Sequence, residues 1–153
     1  MPRFDRLVRG AAAIGAAALL AGCSWMTPIQ TAELYAAGDG VRVEIGVPEV
    51  RVENLMVLAA EEGAEGAVYG ALVNDTSEEL TIGVTIGDGG IEMPVAANDS
   101  VLLGVDEEVV IPAVPGPPGG VVEATLSAEG QGSVPATVPV LDDTLPQYAD
   151  LVP

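Results

Sequence analysis

Few side chains in this chain can do chemistry, and the missing types decide most of what it does not do. Its 153 residues include no histidine and one cysteine, and the five basic residues, all arginine, stand against 23 Asp and Glu. Without imidazole there is no Ser-His-Asp triad, no Cys-His dyad and no His-bearing zinc or copper site. A lone thiol forms neither an internal disulfide nor a Cys-rich metal site. Without lysine there is no Schiff base and no P-loop. Two donor types remain. The soft donors are the thioethers of Met56 and Met93, weak candidates for a metal because they lie on different segments. The hard donors are carboxylates in short clusters: Glu61-Glu62, Asp88 beside Gly89-Gly90, Asp106-Glu107-Glu108 and Asp142-Asp143. Calcium takes roughly six to eight oxygens, no cluster has the EF-hand spacing, and solvated loops are the plainer reading. A carboxylate pair acting on a glycoside needs aromatic platforms. Beyond Cys23 the aromatics are only Trp25, Tyr35, Tyr69 and Tyr148. Gly87 to Gly90 matches a phosphate loop in glycine content alone, since Asp88 repels anions and neither a lysine nor a helix follows. A non-enzyme without a cofactor is therefore expected.

The cysteine has a definite context. Arg3, Arg6 and Arg9 form a basic head, and Gly10 to Ala21 reads GAAAIGAAALLA. That run is too short for a bilayer core, which takes about 20 helical residues, and suits a secretory signal peptide. Its end, Leu20-Ala21-Gly22-Cys23, resembles the lipobox of bacterial lipoproteins. The resemblance implies a diacylglyceryl thioether on Cys23 and cleavage before it, with residues 1–22 as signal peptide. The alternatives are an ordinary signal peptide with a chance cysteine, or an uncleaved anchor. Acyl chains contribute about 0.8 kcal/mol per buried CH₂, so two or three hold a protein at a membrane. The expected location is the extracytoplasmic face of the cell membrane, with the membrane itself as first partner. Trp25, in the tether, suits either the membrane interface or an exposed linker.

Past Cys23 only Arg42 and Arg51 are basic, and the whole chain carries a formal charge of -18. Nucleic acid is excluded as a partner, because its affinity comes mainly from cations on phosphates. The acidity fits a solvated surface, a high-salt habitat or a GC-rich genome, with cation binding or steering of a basic partner as further readings.

The elements that must position these groups read as strands. Residues 23–40 form the tether and lead-in, closed by the turn Gly38-Asp39-Gly40. Val41 to Ile45 alternates apolar and charged residues, and Gly46 with Pro48 is expected to end it. Val50 to Leu58 alternates at first, then turns apolar on both faces at Leu55 to Leu58, as in a strand covered on both sides. Further strands are expected at 67–74, 80–86, 91–95, 100–103 and 109–111, with Pro94 marking an edge. PAVPGPPGG, residues 112–120, is expected as a long loop on one edge. A hairpin over 121–126 and 134–140 ends the domain, and residues 141–153, with Pro146 and Tyr148, form a tail suited to lie against it as a strap. No helix longer than about two turns is expected in 41–140; a long one belongs in residues 3–22. The fold class is all-β: an Ig-like or cupredoxin-like antiparallel sandwich of residues 41–140 with Greek-key links.

From Gly66 to Val140 the order of features resembles the periplasmic copper chaperone family PCu(A)C, and more closely the small actinobacterial lipoproteins related to it. The residues that carry it are Val68-Tyr69, Leu72-Val73-Asn74, Leu80, Met93-Pro94-Val95, Ser100 to Leu103, Gly119-Gly120-Val121-Val122 and Val138-Pro139-Val140. The resemblance implies a cupredoxin-like sandwich in the cell envelope. It also implies a copper site of two His and two Met, and here the chain departs from it. The histidines expected near Ile91-Glu92 and after Leu103 are absent, and only Met93 corresponds to a ligand. Two thioethers without imidazole hold Cu(I) weakly at best. The sequence therefore reads as a membrane-anchored binding or interaction module for an envelope protein or ligand. A copper-handling protein using Met and carboxylates is the alternative, and an envelope enzyme the remoter one.

Overall fold

Apolar alternation at period two, cut by Gly and Pro, produces nine strands and no helix among the described residues, 38–153, of the computed structural model. The expected signal peptide with the long helix expected in residues 3–22, the lipobox-like residues Leu20 to Cys23, Trp25 and Tyr35 lie outside that range. The strands are β1 (Val41–Ile45), β2 (Val47–Ala59), β3 (Gly66–Asn74), β4 (Leu80–Ile86), β5 (Gly89–Val95), β6 (Asp99–Leu103), β7 (Val110–Ile111), β8 (Val121–Ala128) and β9 (Gly132–Leu141). One sheet orders β1-β2-β3, with β6 and β7 sharing the far edge of β3. The other orders β5-β4-β8-β9. All of these pairings are antiparallel, and β5 is the edge that Pro94 marks. One link is parallel: β9 leaves β8 and sets Val140 and Leu141 beside Val57 and Leu58 of β2. That link makes the two layers of the sandwich one nearly closed sheet.

Between the layers, Val50, Val52, Leu55, Val57, Val68 and Leu72 meet Ile82, Val84, Ile86, Val122 and Leu126, all within 3% of complete burial. Each such side chain contributes about 1.5–3 kcal/mol by leaving water.

β2 shows why one strand is apolar on both faces. Asn54 takes a left-handed conformation, φ 51°, and adds one residue to β2 relative to both neighbours. The inward set therefore shifts from Val50 and Val52 to Leu55 and Val57, leaving Met56 and Leu58 on the outer face. Opposite the bulge stands Gly70, where a Cβ would meet the backbone of Glu53 and Leu55 at 3.2 Å.

Three local expectations need correction. Pro48 does not break the chain: Gly46 alone turns it (φ 74°), and Pro48 sits inside β2 where the register with β1 slips and no ladder donor is required. β5 begins at Gly89, so Gly87-Asp88 is a hairpin turn rather than part of a four-residue loop. The Pro-rich stretch is more than an edge loop. Val114 is fully buried, and its N–H and C=O bond Ala64 O and Gly63 N at 2.9 Å each, so it plugs the core beneath the β2–β3 turn.

The opposite end is closed by Asn74, which is fully buried. Its Nδ2 lies 2.8 Å from Glu78 O, 2.9 Å from Val95 O and 3.1 Å from Ala96 O. Its Oδ1 accepts from Thr76 N at 3.1 Å and Thr76 Oγ1 at 2.6 Å. One amide thus ties together two of the three crossings between layers, β3 to β4 and β5 to β6; the third, β7 to β8, is the Pro-rich stretch.

Asn74→Ala is expected to cost about 2–3 kcal/mol, because it strands the buried carbonyl of Val95 and removes the partner of two partly buried ones. Urea unfolding checks this; a loss under about 0.5 kcal/mol contradicts the clamp. Asn98→Gly, at an exposed left-handed position of the second crossing, is the comparison and should be nearly neutral.

Candidate functional site

The outer face of the first layer is shaped by the tail. Met56 and Leu58 point away from the main core and are covered by Tyr148, with Tyr69, Leu141 and Val152 packed around them. Short turns lay the tail down: Asp142 Oδ1 accepts from Thr144 N at 3.0 Å, Leu145 O from Tyr148 N at 2.9 Å, and Tyr148 O from Leu151 N at 2.9 Å. Hydrogen bonds from Thr144 hold the exposed Asp142 carboxyl below its ordinary pKa. The Tyr148 hydroxyl donates to Asp39 Oδ2 at 2.6 Å, and Gly40 N donates to Asn54 Oδ1 at 2.9 Å. The lead-in, the β2 bulge and the tail are thereby clasped together.

Beyond Tyr148 the tail borders a cleft of about 420 Å³ against β3, β7 and the loop that follows β6. Its apolar lining includes Tyr69, Val105, Val110 and Leu151, and its carboxylates are Glu65, Glu108 and Asp150. Val105 is 75% exposed, Val110 38% and Leu151 39%. The loop wall is fixed by its own bonds. Asp106 Oδ2 accepts from Leu102 N at 2.9 Å, Gly104 N donates to Glu107 O at 2.7 Å, and Val68 N donates to Val109 O at 2.9 Å. Gly104 has φ 81°, and the Tyr69 ring occupies the space its Cβ would take. The arrangement has no nucleophile paired with a base. It offers shape, apolar contact and negative charge.

The residues singled out from sequence are dispersed. Met56 belongs to the outer cluster under the tail. Met93 points inward from β5 and packs on the main core, so the two thioethers lie in separate clusters with the first layer between them. No three His, Cys, Asp or Glu side chains converge among the described residues. Glu61 and Glu62 are exposed on the β2–β3 turn and Asp88 on the β4–β5 turn, while Asp106 and Asp142 serve turn hydrogen bonds. Ile91-Glu92 lies on the β5 edge, and the position after Leu103 is Gly104, beside the cleft. Sequence reading missed the cleft. Its one local signal is Val105, an apolar residue in an otherwise acidic turn.

No family model matches the chain, and no curated protein matches it. Solved structures do. The apo PCuAC domain from PmoF1 superposes with a TM-score of 0.54 at 14% identity, covering 65% of this chain and 98% of that one. The copper-bound PCuAC domain from PmoF2 gives 0.52 at 17%, and its apo form 0.51 at 17%, each covering 67% of this chain and 98% of the other. The likeness establishes a shared fold, the one the sequence resemblance implied. The donors present do not fit a copper site of the two-His, two-Met kind: imidazole is absent, and Met56 and Met93 do not meet.

The clasp carries a pH signature. The bond to Asp39, then burial, raises the Tyr148 hydroxyl above its ordinary pKa. Its stabilisation is therefore complete below the unfolded value, about 10, and is lost as pH rises through the folded value. Tyr148→Phe is expected to cost about 1–2 kcal/mol at pH 7, and the difference from the parent should shrink as pH rises past the unfolded value of about 10. Urea unfolding on both sides of that value measures it; a difference that does not change with pH removes the bond from the account.

Proposed function

We propose that the chain is a lipid-anchored, non-catalytic binding module on the extracytoplasmic face of the cell membrane, built on a PCuAC-type sandwich without a copper site. One observation carries the non-metal part: a chain with no imidazole keeps its two domain thioethers in separate clusters. Soft ligands on one side of a sheet cannot complete a coordination sphere with ligands on the other. The cleft beside the tail supports the binding role, and Leu20-Ala21-Gly22-Cys23 supports the anchor.

Copper handling is the second reading, favoured by the likeness to a domain solved with copper bound. Competition against a Cu(I) chelator separates the two. The lipidated protein is expected to bind Cu(I) more weakly than micromolar, with no change in Met56→Leu or Met93→Leu. Stoichiometric copper that disappears in either variant establishes the second reading instead.

The anchor has its own test. Cys23→Ser is expected to abolish acyl mass and cleavage before residue 23. A variant that matures at the same bond and stays tightly membrane-bound rules out lipidation at Cys23.

A further inference from the structure

We infer that the cleft between the loop Gly104–Val109 and the tail docks a cationic, apolar segment of a partner protein, a short stretch in which Arg or Lys flanks Leu, Ile or Val. The inference rests on the binding-module reading and gives it a ligand class.

Three of the six large apolar side chains exposed in the described residues, Val105, Val110 and Leu151, line this one cleft. The cleft's lining is mixed, more polar than apolar, so these side chains supply a few apolar contacts beside its carboxylates, as in the polar interfaces of non-obligate complexes. The wall is set beforehand: Asp106 pins Leu102, Glu107 O holds Gly104, and the Tyr69 ring lies on Gly104. A partner therefore meets little ordering cost on this side.

Charge selects the partner. Glu65, Glu108 and Asp150 line the cleft. The basic side chains past Cys23 are committed elsewhere: Arg42 to Glu44 at 3.1 Å, and Arg51 to Glu53 at 2.6 Å and Asp75 at 2.5 Å. Hydrogen bonds to Glu53 and Asp75 raise the Arg51 pKa further, so it stays charged and paired. Among the described residues the cleft acids thus lack an internal counter-charge, and they favour a cationic partner. Tyr69 adds a ring that a guanidinium can approach. A bare metal ion does not fit, since no three carboxylates converge. An anionic lipid surface does not fit either, since it repels this charge.

The test uses the full lipidated protein in nanodiscs of neutral phosphatidylcholine and a short fluorescein-labelled peptide alternating Arg and Leu. Anisotropy should show saturable binding that weakens several-fold as salt is raised, and a Glu-Leu peptide should not bind. Val105→Asp adds an acid but removes apolar contact; it and Leu151→Ser should each weaken binding about tenfold. Glu108→Gln with Asp150→Asn should weaken it about fivefold, and the remote pair Glu123→Gln with Glu129→Gln should leave it unchanged. No binding, equal loss from the cleft and remote acid pairs, or tighter binding by Val105→Asp overturns the inference. The same preparation is titrated with Cu(I). Copper uptake without peptide binding rejects the binding-module reading as well, whereas neither ligand binding rejects only the peptide.

Discussion

A single buried amide, Asn74, holds two of the three connections through which the chain passes from one layer to the other; the third is the Pro-rich stretch 112–120. Its Nδ2 is shared among the carbonyls of Glu78, Val95 and Ala96, and its Oδ1 fixes Thr76. Without this amide the buried carbonyl of Val95 would lose its partner at the end of the core, at about 1–3 kcal/mol, and the partly buried carbonyls of Glu78 and Ala96 would lose theirs as well. With that end closed by hydrogen bonds and the other by Val114, the interior needs no disulfide and no metal to exclude water. The remaining constraint is the parallel link of β9 to β2, which joins the layers along one side.

The outer face depends on the β2 bulge. The bulge at Asn54 makes β2 two-sided, because it turns Met56 and Leu58 outward while Leu55 and Val57 stay in the core. An apolar outer face then requires a cover, which the tail provides through Tyr148. The clasp of Tyr148 to Asp39, and of Gly40 to Asn54, draws both ends of the domain to the same bulge. The cleft lies where this cover stops, so bulge, strap and cleft follow from one extra residue in one strand. Most of the surface charge is exposed and adds little stability; the ion pairs of Arg42 and Arg51 are of the exposed or half-exposed kind, each contributing about 0–1 kcal/mol.

The strands were legible in the sequence because their signal is local: Val41 to Ile45, Leu80 to Ile86 and the 121–140 hairpin alternate cleanly between Gly and Pro punctuation. The doubly apolar half of β2 was legible too, though not its cause, since a left-handed Asn54 leaves no mark in composition. Asn74 reads locally as an ordinary turn residue, and its role depends on carbonyls more than twenty positions away. Pro48 misleads for a similar reason: whether proline breaks a strand depends on whether the partner needs its N–H, and here the register has slipped. The cleft was illegible because its lining comes from β3, the 104–110 segment and residues 150–153, which only the fold brings together. The PCuAC resemblance was legible as the order of strands and turns, and the missing histidines could be counted directly. That Met56 and Met93 belong to separate clusters required knowing which face of which layer each occupies.

A sandwich closed by its own hydrogen bonds and apolar packing should gain no stability from a bound metal. The most direct measurement is urea unfolding of the protein in a copper chelator and again in excess Cu(I) under reducing, anaerobic conditions. The expected result is the same midpoint and slope in both. A native-state site at a hundredfold excess over its dissociation constant adds about 2.7 kcal/mol, and a stabilisation of that size, lost on restoring the chelator, would contradict the account.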